Sequence, residues 1–154
     1  MRPNRQSRAL DTPKALYSRA MRTKLIDVHT GDRDIVLDLT PDCADFVSDQ
    51  PDGLLHIFVP HATAGIAILE TGAGSDEDLL VALRELLPAD DRWVHRHGSR
   101  GHGRSHVLPA LIPPYATVPV VDGGLGLGIW QSICLVDLNV DNAQRHVRLS
   151  LIPA

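Results

Sequence analysis

The sequence predicts an α+β fold, mainly antiparallel, with one long and one short helix. Three observations predict it. Apolar, β-rich runs stand on both sides of a central leucine stripe of helical period, and strands and helices do not alternate in the way that builds a parallel sheet. A chain of 154 residues with a 44% apolar fraction is large enough for one domain with a real core.

The N-terminal segment is basic. Arg2, Arg5, Arg8, Lys14, Arg19, Arg22 and Lys24 stand there against the single acid Asp11. Residues 1–22 are expected to form a flexible tail and residues 23–154 the single folded domain. Residues 34–39 then read as a strand that stops at Thr40-Pro41, where Thr suits an N-cap and Pro the first helical position. In the short helix that follows, Cys43, Phe46 and Val47 share one face, which makes Cys43 a core residue.

Asp52-Gly53 signals a turn, and Leu54 to Val59 is an apolar run ending at Pro60, read as a central strand. His61-Ala62-Thr63-Ala64-Gly65 connects it to a second apolar run, Ile66 to Leu69. Ser75 and Asp78 fit a loose capping pattern. Leu79, Leu80, Leu83, Leu86 and Leu87 then repeat at helical spacing until Pro88, which gives the long helix. From Ala116 the chain reads as β: Thr117 to Val121, an Asp122-Gly123-Gly124 turn, Leu125 to Leu138, and Arg145 to Leu151, expected as antiparallel hairpins. The glycines of Gly123 to Gly128 lie between strands, which speaks against a dinucleotide-binding fold. Trp130 is expected to fill core, with Gln131 on the opposite face free to meet a ligand or a second subunit.

Bulk properties narrow the function. A formal charge of −4 gives no general reason to bind nucleic acid. No apolar run approaches the roughly 20 residues of a membrane span. Cys43 and Cys134 form no CxxC pair, so a disulfide framework and a cysteine zinc site are both unexpected, and a reducing, cytoplasmic setting follows.

The strongest functional signal is the run Trp93 to His106. It holds His95, His97, His102 and His106, interleaved with Arg96, Arg100 and Arg104 and with Gly98, Gly101 and Gly103. If Trp93 to His97 is extended, His95 and His97 share a face, and the glycine-rich turn lets His102 and His106 fold back toward them. A solvated loop explains any one of these histidines, but four together point to a pocket. Imidazoles can bind a divalent metal, and His61 joins the four as a candidate ligand. Arginines and glycine amides can instead bind an anion such as phosphate. Sequence leaves both chemistries open. Glu70, at its strand end, is a candidate general base. His29, His56 and His146 stand alone in strand-like runs and are read as structural.

Three blocks in order resemble the YjbQ family: Phe58-Val59-Pro60-His61-Ala62-Thr63-Ala64-Gly65, then Gly101-His102-Gly103-Arg104-Ser105-His106, then Leu127-Gly128-Ile129-Trp130-Gln131-Ser132-Ile133. The likeness runs from about Lys24 to Leu151. The resemblance implies an α+β fold centred on a β-sandwich-like sheet, assembled as a homotrimer with sites near subunit boundaries. It also implies an enzyme acting on a phosphorylated small molecule, since the family includes secondary thiamine-phosphate synthases. That transferase reaction joins a pyrimidine diphosphate to a thiazole phosphate, and commonly needs Mg²⁺ and positive charge on the leaving pyrophosphate. The expected catalytic residues are His61, His106 and Glu70. The expected ligand-binding residues are Thr63, Gly65, Arg96, Gly101, Gly103, Arg104 and Gln131, and the expected cofactor is a divalent metal, zinc or magnesium. The usual family pattern has Thr where Ala62 stands, Asn where His102 stands and often Lys where Leu108 stands. His102 therefore adds a ligand or proton carrier, and Leu108 removes a cation. The alternatives are a metal-dependent hydrolase or lyase of another substrate, and a non-catalytic trimeric protein that binds an anion or metabolite.

Overall fold

The computed structural model describes residues 20–154. Residues 1–19 of the expected tail lie outside the described residues, and Arg22, its last expected residue, already opens the first strand. The elements are β1 (Arg22–His29), β2 (Ile35–Asp38), α1 (Thr40–Val47), β3 (Gly53–Phe58), β4 (Ala64–Leu69), α2 (Ser75–Leu86), α3 (Leu108–Leu111), β5 (Tyr115–Val121), β6 (Gly124–Leu125), β7 (Ser132–Asp137) and β8 (Gln144–Pro153), with a 3-10 turn at His102–Arg104. The α+β class is as the sequence predicts, with a one-turn α3 in addition. No helix among the described residues is long and apolar enough to cross a membrane.

The strands form two antiparallel sheets, one ordered β1-β8-β3-β5-β6 and one ordered β2-β7-β4. Alternation builds the first sheet: Leu55 and Ile57 of β3, and Val147, Leu149 and Leu151 of β8, are fully buried. They pack against Ile66, Ile133 and Leu135 of the second sheet in one core. The opposite face of that second sheet carries Val136, which packs with Leu83 and Leu87 under α2 and with Leu108 of α3. Two covered faces explain why Ile133 to Leu138 is buried without alternation.

Several local expectations differ from the structure. Thr40 is the first helical residue, not the cap; its hydroxyl accepts from Ile133 N (2.9 Å), while Asp38 takes Thr40 N (2.8 Å). Gly74, in a left-handed conformation, holds the N-cap position of α2 in place of Ser75. Of the leucine stripe, Leu83 and Leu87 are buried, whereas Leu86 is 63% exposed. The long strand expected over 125–138 is two strands in different sheets. Gly126 N bonds back to Pro119 O, and the chain leaves the first sheet there before β7 begins. β7 and β8 are therefore not a hairpin, and only β5 and β6 form one, through Asp122 and Gly123, both at positive φ. Trp130 is 70% exposed and fills no core.

One end of the sandwich gathers polar residues. Asp137 closes β7 opposite Ile35 and Ala64, and Arg145 stands near the start of β8 opposite Val28. Arg145 Nε and Asp137 Oδ2 meet at 2.7 Å with both side chains fully buried, so this ion pair ties the two sheets together at that end.

Candidate metal centre

The segment after α2 has little regular structure, yet it is held at several points. Trp93 Nε1 donates to Pro88 O (2.9 Å). Arg104, buried, donates to Asp34 Oδ1 (2.5 Å) just before β2 and to Leu87 O (3.4 Å). Gly103 is buried, and only glycine fits there, since a Cβ would lie 2.6 Å from both His95 O and Trp93 Cβ. These ties bring the ends of the run together although Trp93 to His97 forms no strand.

Four imidazoles result. One ligand nitrogen each of His95, His97, His102 and His106 falls within 4.8 Å of all the others. Ring centroids of His95 lie 4.1 Å from those of both His97 and His106. His102 Nε2 and His106 Nε2 are 3.0 Å apart. A tetrahedral zinc with bonds of about 2.0–2.1 Å separates its nitrogens by about 3.4 Å, so the four need only small rotations to share one ion. Burial and the neighbouring His95 and His102 hold His106 below the ordinary imidazole value, and burial with His97 and His102 does the same to His95. Neutral imidazoles are what a metal requires. The all-nitrogen donor set fits zinc and related transition metals. Magnesium takes oxygen ligands in octahedral geometry and is poorly matched to it.

His61 lies beside this group, outside the set of four. Its Nδ1 is 2.8 Å from Thr63 Oγ1, and Thr63 is buried. Burial and the Arg145 guanidinium push its imidazole below the ordinary value, with Asp137 opposing. Its charge is felt by His106, so the two are neighbours in the same end of the fold.

The remaining expected residues divide. Arg96, Gly101 and Gly103 line a hollow of about 270 Å³ against the imidazoles, together with Ser99 and Arg100. Arg104 is spent on Asp34 and Leu87 and serves the fold. Gly65 is packing: a Cβ there would sit 2.2 Å from Ile112 O. Glu70 and Gln131 flank the Leu69–Ser132 pair, at the end of β4 and β7 opposite Ala64 and Asp137. Within one chain neither reaches the imidazoles, and Gln131 Oε1 accepts from Gly128 N instead (2.7 Å). Cys43 is fully buried and its thiol is pushed up to about 12 by burial and by Asp42, an inert core position.

Sequence reasoning missed Asp141, whose Oδ2 accepts from His102 Nδ1 (2.5 Å) and from Ser99 N (3.1 Å). It also missed the Asp137–Arg145 pair. The available signal was polar residues bounding otherwise apolar strands, Asp137 after Ile133 to Val136 and Arg145 before Val147.

The family model described as "UPF0047 protein YjbQ-like" matches residues 24–154. UPF0047 protein Rv2556c of Mycobacterium tuberculosis is 58% identical over 132 residues, 86% of this chain and 98% of that protein. UPF0047 protein YugU of Bacillus subtilis is 32% identical over 117 residues, 71% and 84% of the two chains. Among solved structures, a YbjQ-like protein of unknown function from Sulfolobus solfataricus superposes with a TM-score of 0.81 at 26% identity, covering 88% of this chain and 99% of that one. Hypothetical protein APE1520 of Aeropyrum pernix gives 0.77 at 32%, with 86% and 99% covered. With its whole described fold shared and its sequence matched from residue 24 to the end, the chain belongs to the UPF0047 YjbQ-like family.

Proposed function

We propose that the protein is a metal-dependent enzyme acting on a phosphorylated small molecule at the His95–His97–His102–His106 centre. The observation that carries this reading is the convergence of four imidazole nitrogens within 4.8 Å beside a hollow bearing Arg96 and Arg100. A zinc-class ion would be held there by His95, His97, His102 and His106, and would supply Lewis acidity toward a phosphoryl oxygen or a water only with a position left open, either by three imidazoles holding it or by a fifth ligand joining the four. Arg96 and the amides of the glycine-rich turn offer charge and donors to a phosphate, while Arg100 is shared with Asp91 (3.4 Å) at the rim of the same hollow. His61, whose imidazole burial and Arg145 hold below the ordinary value and which Thr63 sets in place, is the residue of this end suited to exchange a proton with a bound group.

Thiamine-phosphate synthase-like transfer is the named candidate reaction, resting on the family resemblance. The modest hollow favours a single small phosphorylated group over two ring systems, which supports a weak or secondary activity for that reaction and keeps hydrolysis as the alternative. The same reading includes a homotrimer in a cytoplasmic setting. Ile129 and Trp130, 89% and 70% exposed, support a second copy as their cover.

The test uses zinc-loaded and metal-stripped protein against two assays: thiamine phosphate formation from its two phosphorylated precursors, and phosphate release from a panel of phosphomonoesters. Metal-dependent turnover abolished by His106→Ala is expected. Thermal stabilisation by phosphorylated ligands with no turnover in any assay would replace the enzyme with a binding protein.

A further inference from the structure

We infer that Asp141 is the positioning residue of the imidazole centre and that the segment Asp137-Leu138-Asn139-Val140-Asp141 is built to hold it in place. The inference rests on the metal reading above for its consequence, though not for its geometry.

The segment is a ladder anchored in the core. At its base Asp137 is fully buried against Arg145 across the two sheets. Asn139 N then donates to Asp137 Oδ1 (2.8 Å), and Asp141 N donates to Asn139 Oδ1 (3.0 Å). Each step is a side chain accepting from the amide two residues on, a turn that Asp and Asn form readily. The spacing D-x-N-x-D is that of a hard-cation loop. Here Asp137 and Asn139 are instead consumed by backbone amides and by Arg145, which leaves Asp141 alone to project at the top.

Asp141 meets both arms of the histidine segment. Its Oδ2 accepts from Ser99 N, two residues past His97, and from His102 Nδ1. The backbone is pressed close around this contact: Gly98 has φ +81°, and a Cβ there would lie 2.6 Å from Asp141 Oδ2 and 2.8 Å from His102 Nδ1. A carboxylate only accepts, so the His102 proton sits on Nδ1 and the Nε2 lone pair faces His106, 3.0 Å away. A histidine in water prefers the opposite tautomer. Carboxylate partners of this kind orient a ligand imidazole and raise its basicity, and their loss typically costs 10- to 100-fold in metal affinity.

Two readouts decide the matter on the full chain. Long-range ¹H–¹⁵N correlation on metal-free protein at pH 8 is expected to show His102 protonated on Nδ1, and Asp141→Ala is expected to move the proton to Nε2. Zinc affinity by competition with a chromophoric chelator is expected to fall about 10- to 100-fold in Asp141→Ala, with partial recovery in Asp141→Glu and an intermediate loss in Asp141→Asn. An Nε2–H tautomer in the wild type, or variants that all bind zinc within twofold of it, overturns the assignment. If the wild type takes up no zinc, the metal reading falls, and the tautomer measurement still decides what Asp141 does. Should Asp141→Ala fail to fold, Asp141→Asn carries both readouts.

Discussion

His61 shows how one side chain ties the site to the core. Its imidazole is held below the ordinary value by burial and by Arg145, so the folded chain binds fewer protons than the unfolded chain once pH drops below about 6.5. Stability of the metal-free protein should therefore fall as pH is lowered from about 6.5, and His61→Asn should make that slope shallower. Denaturant unfolding at steps between pH 7.5 and 5 measures it, and equal slopes would remove His61 from the account. Arg145→Met leaves Asp137 buried without its partner and should cost roughly 3–5 kcal/mol in the same experiment. The histidines of the centre were legible because four lie close together in a glycine-rich run. Asp141 was not, because it stands 39 residues from His102 and only the chain topology brings them together.

At the scale of elements, α2 separates pattern from burial. Its leucines repeat at helical spacing, but only one side lies on the three-stranded sheet, so Leu83 is buried and Leu86 faces out. Leu83→Ala should destabilise by roughly 2–5 kcal/mol, whereas Leu86→Ala should stay within about 0.5 kcal/mol; chemical denaturation distinguishes them. The same physics explains which elements sequence could and could not give. The apolar run between Gly53 and Pro60 marks β3 and the Asp122-Gly123 signal marks the β5–β6 hairpin, because both are local. The division of residues 125–138 between two sheets is not local: Ile133 to Val136 of β7 is apolar on both faces because α2 covers one and the large sheet the other, and nothing within the run says where it changes sheet.

For the whole molecule, the two sheets meet at one end through Asp137 and Arg145, and the imidazoles gather over that end, so fold and site share an anchor. At the opposite end of β7, Ile129, Trp130 and Gln131 face outward. In a homotrimer these residues are the ones a neighbour would cover, which would also explain why Trp130 fills no core. Sedimentation should give three times the mass of one chain, and Trp130→Ser should shift the distribution to lighter species; a wild type that sediments as a single chain at micromolar concentration would remove the trimer. The centre itself is tested most directly by zinc stoichiometry. Metal-stripped wild-type protein should take up one zinc per chain, and the His95→Ala/His106→Ala double variant, still folded by circular dichroism, should take up none. No stoichiometric uptake by the wild type, or equal uptake by the double variant, would contradict a metal centre built from these four imidazoles.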